Sequence, residues 1–181
     1  MGQNKLALEY QGKSLLQHTF DLVLSLPFYE RILLISPENA SGITIPVGIK
    51  VIQNDDPKRG QAYSVFLGTR AAGGLSYMYF TGDQPLLTVA LLESMMAAST
   101  EHNIVYPIKE DGSPSSPTCF GKAFRQELLA VTKENKKGGG RVIRDRYPEF
   151  CVKIRVQGQA QLFDIDTPEK YQQLQEMEKD I

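Results

Sequence analysis

The chemistry open to this chain rests on carboxylates at the ends of regular elements and on a lysine near the amino terminus. Tyr77-Met78-Tyr79-Phe80 favours a strand, Gly82-Asp83-Gln84-Pro85 breaks it, and Thr88 opens an amphipathic run, so Asp83 is predicted at a strand's carboxyl end. In open α/β sheets ligands bind along that edge, where a carboxylate suits a hard cation such as Mg²⁺ held against phosphate oxygens. An Asp after a Gly also makes ordinary turns, and the tetrapeptide alone leaves both readings open. Near the carboxyl end, Phe163-Asp164-Ile165-Asp166-Thr167-Pro168 alternates apolar and acidic residues. On a strand, Asp164 and Asp166 would share one side while Phe163 and Ile165 face the core. Such a pair is either helix-start decoration or half of a metal site. Gly2-Gln3-Asn4-Lys5 is a polar loop ending in a lysine, a point charge suited to a β- or γ-phosphate.

These residues need a scaffold, and the hydrophobic pattern supplies one. Ser14 and Gln17 have capping-box form ahead of an apolar stripe through Leu15, Leu16, Phe20, Val23 and Leu24. Residues 31–36 and 48–53 read as buried strands, and 61–72 as a helix with Ala62, Val65, Phe66 and Thr69 on one face. After Asp83, Thr88 caps a helix carrying Leu91, Leu92, Met95 and Met96. Strands are expected at 104–108 and 118–120, a helix at 123–131, and further strands at 151–156 and 162–165. Thr167-Pro168-Glu169 starts a last helix. No repeat or linker divides the chain, so residues 1–181 are expected to form one three-layer, Rossmann-like α/β domain around a mostly parallel sheet.

Composition removes several classes of function. The 181 residues are 41% hydrophobic and 23% charged, which is ordinary for a globular domain. A net charge of −1 with both signs interspersed leaves no basic stripe for a nucleic acid and no polybasic membrane anchor. No apolar run reaches the roughly 18 residues of a membrane span, and the first residues lack a signal peptide's apolar region, so a cytoplasmic location is expected. Cys119 and Cys151 have no metal-ligand spacing and read as small core hydrophobes. His18 and His102 read as structural or surface residues.

The order of motifs resembles a family. MGQNKL, GQAYS after a polar loop, GDQPLL, GGGR and FDIDTPEKY, spread over essentially the whole chain, resemble the nucleotidyltransferases that include molybdenum cofactor cytidylyltransferase and its guanylyl, GTP-using relative. Gln84 is similar to the cytidylyl branch, since the guanylyl branch typically has Met there. The resemblance implies a Mg²⁺-dependent enzyme of GT-A-like type that transfers CMP from CTP to a molybdopterin phosphate, with a molybdoenzyme or its chaperone as partner. It implies Lys5 as the triphosphate contact and Asp83 and Asp166 as ligands of one ion, with Asp164 supporting them. Gly2 belongs to the matching phosphate loop, and Gly60, Gln61 and Ser64 match the turn and helix start that line the base pocket. Gly140 and Arg141 match the acceptor side. An acceptor phosphate is already a competent nucleophile, which explains a site without a catalytic His, Cys or Ser.

Two departures set alternatives beside this reading. Ser115-Ser116-Pro117 stands where the family usually has Gly-Asn-Pro or Gly-His-Pro, which opens the acceptor to another small phosphate, such as a sugar 1-phosphate. The family's first strand and Gly-rich loop precede the segment matching Gly2 to Lys5, whereas this sequence starts at Met1. The expectation is a sheet short of its central strand, folding or catalysing poorly until another segment fills the gap. A relative that binds nucleotide or pterin without turnover is the remaining alternative.

Overall fold

The structure is a computed structural model and describes residues 4–134 and 138–179. A 3₁₀ turn at Lys5–Ala7 leads into a hairpin of β1 (Glu9–Tyr10) and β2 (Lys13–Ser14), turned by Gln11 and Gly12, both at positive φ. Then follow α1 (Leu15–Leu24), β3 (Ile32–Ile35), α2 (Pro37–Ala40), β4 (Lys50–Gln53), α3 (Gln61–Ala71) and β5 (Ser76–Tyr79). The second half runs α4 (Val89–Ala98), β6 (Ile104–Ile108), β7 (Thr118–Gly121), α5 (Arg125–Glu134), α6 (Arg141–Arg146), β8 (Cys151–Arg155) and α7 (Pro168–Lys179). The predicted caps form: the Ser14 hydroxyl accepts from Gln17 N–H, Thr88 from Leu91 N–H and Thr167 from Lys170 N–H.

Helices cover both faces of the sheet, and the strand period of two dictates which residues meet them. Tyr77, Ile104, Tyr106 and Phe120 face α3 and α5 through Ala62, Val65, Leu128 and Val131. Met78, Val105 and Cys119 face α4 through Leu91, Leu92 and Met95. Strand order in the larger sheet is β5-β7-β6-β8, with β6 and β8 parallel and β7 antiparallel to both its neighbours. β3 and β4 form a separate parallel pair.

Between β3 and β5 the sheet is interrupted where a doubly wound sheet carries its middle strand. No hydrogen bond joins β3 to β5 among the described residues. A Cβ on Gly68 of α3 would meet Leu34 at 3.3 Å and Tyr79 at 4.0 Å, while Gly73, past the other end of α3, donates its N–H to Glu30 just ahead of β3. The carboxyl halves of β3 and β5 therefore flank the same turn of α3, and the two strands run the same way. Their facing edges enclose a slot of about 540 Å³ walled by Phe20, Leu33, Ile35, Val65, Met78 and Tyr79 among others.

Four sequence expectations need correction. Residues 162–165 form no strand; a 3₁₀ turn at Gln159–Leu162 leads into extended chain, because these residues pair with Asp83 and not with a sheet edge. The helix expected from Ala123 begins at Arg125 after a 3₁₀ turn, and the short helices α2 and α6 fall where no regular element was expected. Cys151 is half-buried, its thiol directed at the Arg144 and Tyr147 carbonyls. Gly2 and the lysines at 136 and 137 lie outside the described residues.

The slot generates a prediction. An apolar segment of four or five residues, at about 3.3 Å per residue, matches β3 in length and supplies both edges with backbone partners. Fused ahead of Met1 through a flexible linker, it is expected to raise Tm by about 5 °C or more, since each kcal/mol moves a domain of this size by about 2–4 °C. Exchange of the β3 and β5 amides should slow; rates unchanged at both edges would show that the slot takes no strand.

Candidate active site

Asp83 stands beyond the carboxyl end of β5, and a close approach at Gly82 brings its partner to it. A Cβ on Gly82 would lie 2.9 Å from a Leu16 methyl and 3.1 Å from a Leu6 methyl, so a larger residue would have to push those side chains, and with them the packing of the Lys5–Ala7 turn, aside. That turn is fixed by Asn4, whose side chain accepts from Leu6 N–H and donates to the Asn39 carbonyl. Lys5 Nζ consequently lies 2.6 Å from Asp83 Oδ2 and 3.3 Å from Asp166 Oδ1. Asp166 is delivered by backbone: Ile165 N–H donates to the Asp83 carbonyl at 2.9 Å, and the Ile165 side chain is fully buried beside Leu15 and Leu174.

The site is electrostatically balanced. Lys170 Nζ lies 2.8 Å from Asp164 Oδ1 and 3.7 Å from Asp166 Oδ2, and Lys109 Nζ is 4.0 Å from Asp164. Three carboxylates thus face three ammonium groups. Partial burial alone would lower the Lys5 pKa, but the hydrogen bond and charge of Asp83, with those of Asp166, outweigh it and raise it above the ordinary lysine value. Burial alone would raise the Asp164 carboxyl, yet hydrogen bonding with Asp166 and Lys170 holds it down at about 2.

The donor set fits a divalent cation in part. Asp83 is only 8% exposed, and its buried Oδ1 has no hydrogen-bond partner among the described residues. A buried carboxylate oxygen left unpaired is costly, so it points to a cation or donor that completes it. One ammonium touches both Asp83 and Asp166, at 2.6 and 3.3 Å, so the two carboxylates converge on one cation. Asp164, expected as a supporting ligand, is directed instead to Lys170 and Lys109. Among the described residues no three His, Cys, Asp or Glu side chains gather as a ready metal cluster. Remaining ligands would have to come from substrate oxygens and water, as is usual for Mg²⁺.

Beside the acids lies a polar pocket of about 230 Å³. Gln61, Gly140 and Arg141 line it, together with Gln84, Lys109, Ser115, Arg144 and Asp164. Gln84 is 3% exposed; its amide oxygen accepts from Thr81 Oγ1 at 3.3 Å and its nitrogen donates to Ser115 Oγ at 3.5 Å. The Gly138–Arg141 loop closes against two walls. A Cβ on Gly139 would meet the Gln61 carboxamide at 3.1 Å, and one on Gly140 the Phe120 ring at 2.8 Å. Gly60, at φ 75°, caps α3 without a side-chain bond, leaving the helix's positive end open beside Gln61. Ser64 is not brought here; its hydroxyl accepts from Asn54 and it lines the apolar slot.

Sequence reasoning missed Lys109, Lys170 and Arg144. Lys170 had a signal, four residues after Asp166 on a capped helix. Arg144 had none, since α6 was not foreseen; it is nearly buried, over the Tyr106 ring at 5.1 Å and 2.7 Å from Asp145.

Acids bridged by a lysine at the carboxyl edge of an α/β sheet, with a cationic pocket alongside, are a set of charges suited to phosphate esters. The family of MobA-like NTP transferase domains matches residues 1–150, and the chain belongs to it; it is a nucleotidyltransferase. The purine catabolism protein PucB of Bacillus subtilis is 28% identical over 190 residues, covering 94% of this chain and 87% of that protein. The bifunctional protein GlmU of Solibacter usitatus is 31% identical over 140 residues, covering 74% of this chain, which spans 25% of that longer protein. Among solved structures, the manganese complex of Rv0371c from Mycobacterium tuberculosis superposes with a TM-score of 0.80 at 20% identity, over 97% of this chain and 93% of that one. No helix among the described residues is long and apolar enough to cross a membrane.

Acid titration of the cluster has a definite sign. A carboxyl with a depressed folded-state pKa adds stability above its ordinary value of 3.8 and loses it as pH falls through about 2. Asp164→Asn is expected to flatten the fall of Tm across that window relative to wild type, with no difference in slope above pH 5. A variant whose Tm falls as steeply as wild type's below pH 4 would refute the assignment.

Proposed function

We propose that the protein transfers a nucleotidyl group from a Mg²⁺-bound nucleoside triphosphate to a small phosphorylated acceptor, most specifically CMP from CTP to a molybdopterin phosphate. The observation that carries this reading is the buried, unpartnered Asp83 Oδ1 beside Asp166 and next to a pocket holding Lys109, Arg141 and Arg144. In the reaction an acceptor phosphate oxygen forms a bond to the α-phosphorus, the bond to the bridging oxygen of the β-phosphate breaks, and pyrophosphate leaves with the electron pair. Lys5 neutralises the triphosphate. Gln61 and the open amino end of α3 bind the nucleoside side, and Arg141 and Lys109 draw in the acceptor anion against the repulsion of the α-phosphate. A bound Mg²⁺ supplies charge neutralisation and in-line orientation, held by Asp83 and Asp166. No group need remove a proton from the nucleophile.

The size of the pocket favours a second acceptor. At about 230 Å³ it falls below the roughly 300 Å³ at which ligand pockets usually begin. A compact acceptor, such as a sugar 1-phosphate, fills it more completely than a pterin. The likeness to a purine catabolism protein likewise keeps acceptors outside molybdenum chemistry in view.

Two measurements test the reading. Asp83→Asn is expected to lower turnover by about 10²–10³-fold, the cost of removing one electrostatic element of a transfer site, while Tm stays within a few degrees of wild type. Pyrophosphate release with CTP and candidate acceptors is the assay, and unchanged release would remove Asp83 from the mechanism. Arg141→Ala is expected to raise the acceptor KM about tenfold with little change in the nucleotide KM. Wild-type protein that binds nucleotide but releases no pyrophosphate with any acceptor would establish the non-catalytic alternative.

A further inference from the structure

Lys5 does more in this arrangement than await a phosphate. Its ammonium group lies between the two carboxylates assigned to the metal, 2.6 Å from Asp83 and 3.3 Å from Asp166, where a divalent cation would bridge them. We propose that Lys5 fills the cation position in the free protein, so that a divalent ion enters only with a nucleoside triphosphate, whose phosphates take the lysine over. The proposal rests on the nucleotidyl-transfer reading and adds an order of binding to it.

Three observations support the inference. First, the acids are already neutralised, since Lys5, Lys109 and Lys170 face Asp83, Asp164 and Asp166. A free divalent ion meets no net negative charge to offset its reluctant dehydration. Second, the lysine can leave without disturbing the fold. Its backbone is held by the Asn4 cap and by Leu6 packed near Gly82, whereas its side chain is 37% exposed, at the rim of the site. Third, its departure frees Asp83 Oδ2 beside an Oδ1 that has no hydrogen-bond partner among the described residues, so both oxygens of a buried carboxylate become available together. The triphosphate is the reactant that brings the metal and a new anion for Lys5 together, whereas the acceptor phosphate is drawn to Arg141 and Lys109. Lys5 is then a positioning residue for the metal as well as a phosphate contact.

The test measures metal binding without turnover. Free Mn²⁺ is followed by electron paramagnetic resonance during titration of the full chain, in the absence of nucleotide. Wild type is expected to bind Mn²⁺ at least tenfold more weakly than Lys5→Met, whose side chain is of similar length and uncharged. Lys5→Arg, which keeps the positive charge, should bind as weakly as wild type, and adding Asp83→Asn to Lys5→Met should abolish the gain. Lys5→Gln serves equally should Lys5→Met fail to fold. With an α,β-methylene nucleotide present, wild type should retain Mn²⁺ beyond what the nucleotide alone holds in a protein-free control. Equal Mn²⁺ affinity of wild type and the uncharged variants without nucleotide overturns the proposal. Pyrophosphate release by wild type reports separately on the reading beneath it. Turnover with equal Mn²⁺ affinities would sink the proposal alone, and tighter Mn²⁺ binding by the variant without wild-type turnover would sink the reading alone.

Discussion

A single backbone hydrogen bond, from Ile165 N–H to the Asp83 carbonyl, joins parts of the chain some eighty residues apart and makes the site possible. Neither partner belongs to a strand, so no sheet register fixes them; burial does. Ile165 is fully enclosed with Leu15, Leu174 and Tyr10, and the following residue can only emerge at Asp83. Breaking that apolar anchor would leave both carboxylates present and their spacing undefined. The spacing of the candidate site's carboxylates thus depends on a hydrophobic side chain that is not one of them.

Around that anchor the site is organised by charge. Lys5 reaches the acids from a capped 3₁₀ turn, Lys170 from the first turn of α7, and Lys109 from the end of β6. Each comes from a different element, and each has a carboxylate within 4.0 Å. A site built this way tolerates two incoming anions, because its cations are already gathered and need only exchange partners.

The legibility of these features in the sequence follows from how local their causes are. Caps at Ser14, Thr88 and Thr167 could be read directly because a cap bonds within three residues. Asp83 and Asp166 could be named from turn chemistry and motif order. The strand expected at 162–165 failed because alternation describes any extended chain with one buried side, and Ile165 is buried against Leu15, Leu174 and Tyr10 without a ladder to any strand among the described residues. Arg144 was invisible because α6 follows glycines that read as a break. Lys109 needed the fold itself, since fifty-five residues separate it from Asp164.

The interruption beside β5 divides the sheet in a way that bears on Lys5. No ladder bonds join the β3–β4 pair to the four-stranded sheet among the described residues; the two halves meet through side chains, notably Leu34 and Tyr79 on either side of Gly68. Packing without a shared ladder leaves the smaller pair outside the hydrogen-bond network that ties β5, β7, β6 and β8 together. Asn4 is tied to the smaller unit through the Asn39 carbonyl of α2, and Lys5 follows Asn4 in the chain. The lysine at the acids is therefore seated between the two units, tied to the smaller through Asn4 and to the larger through Leu6 packed near Gly82.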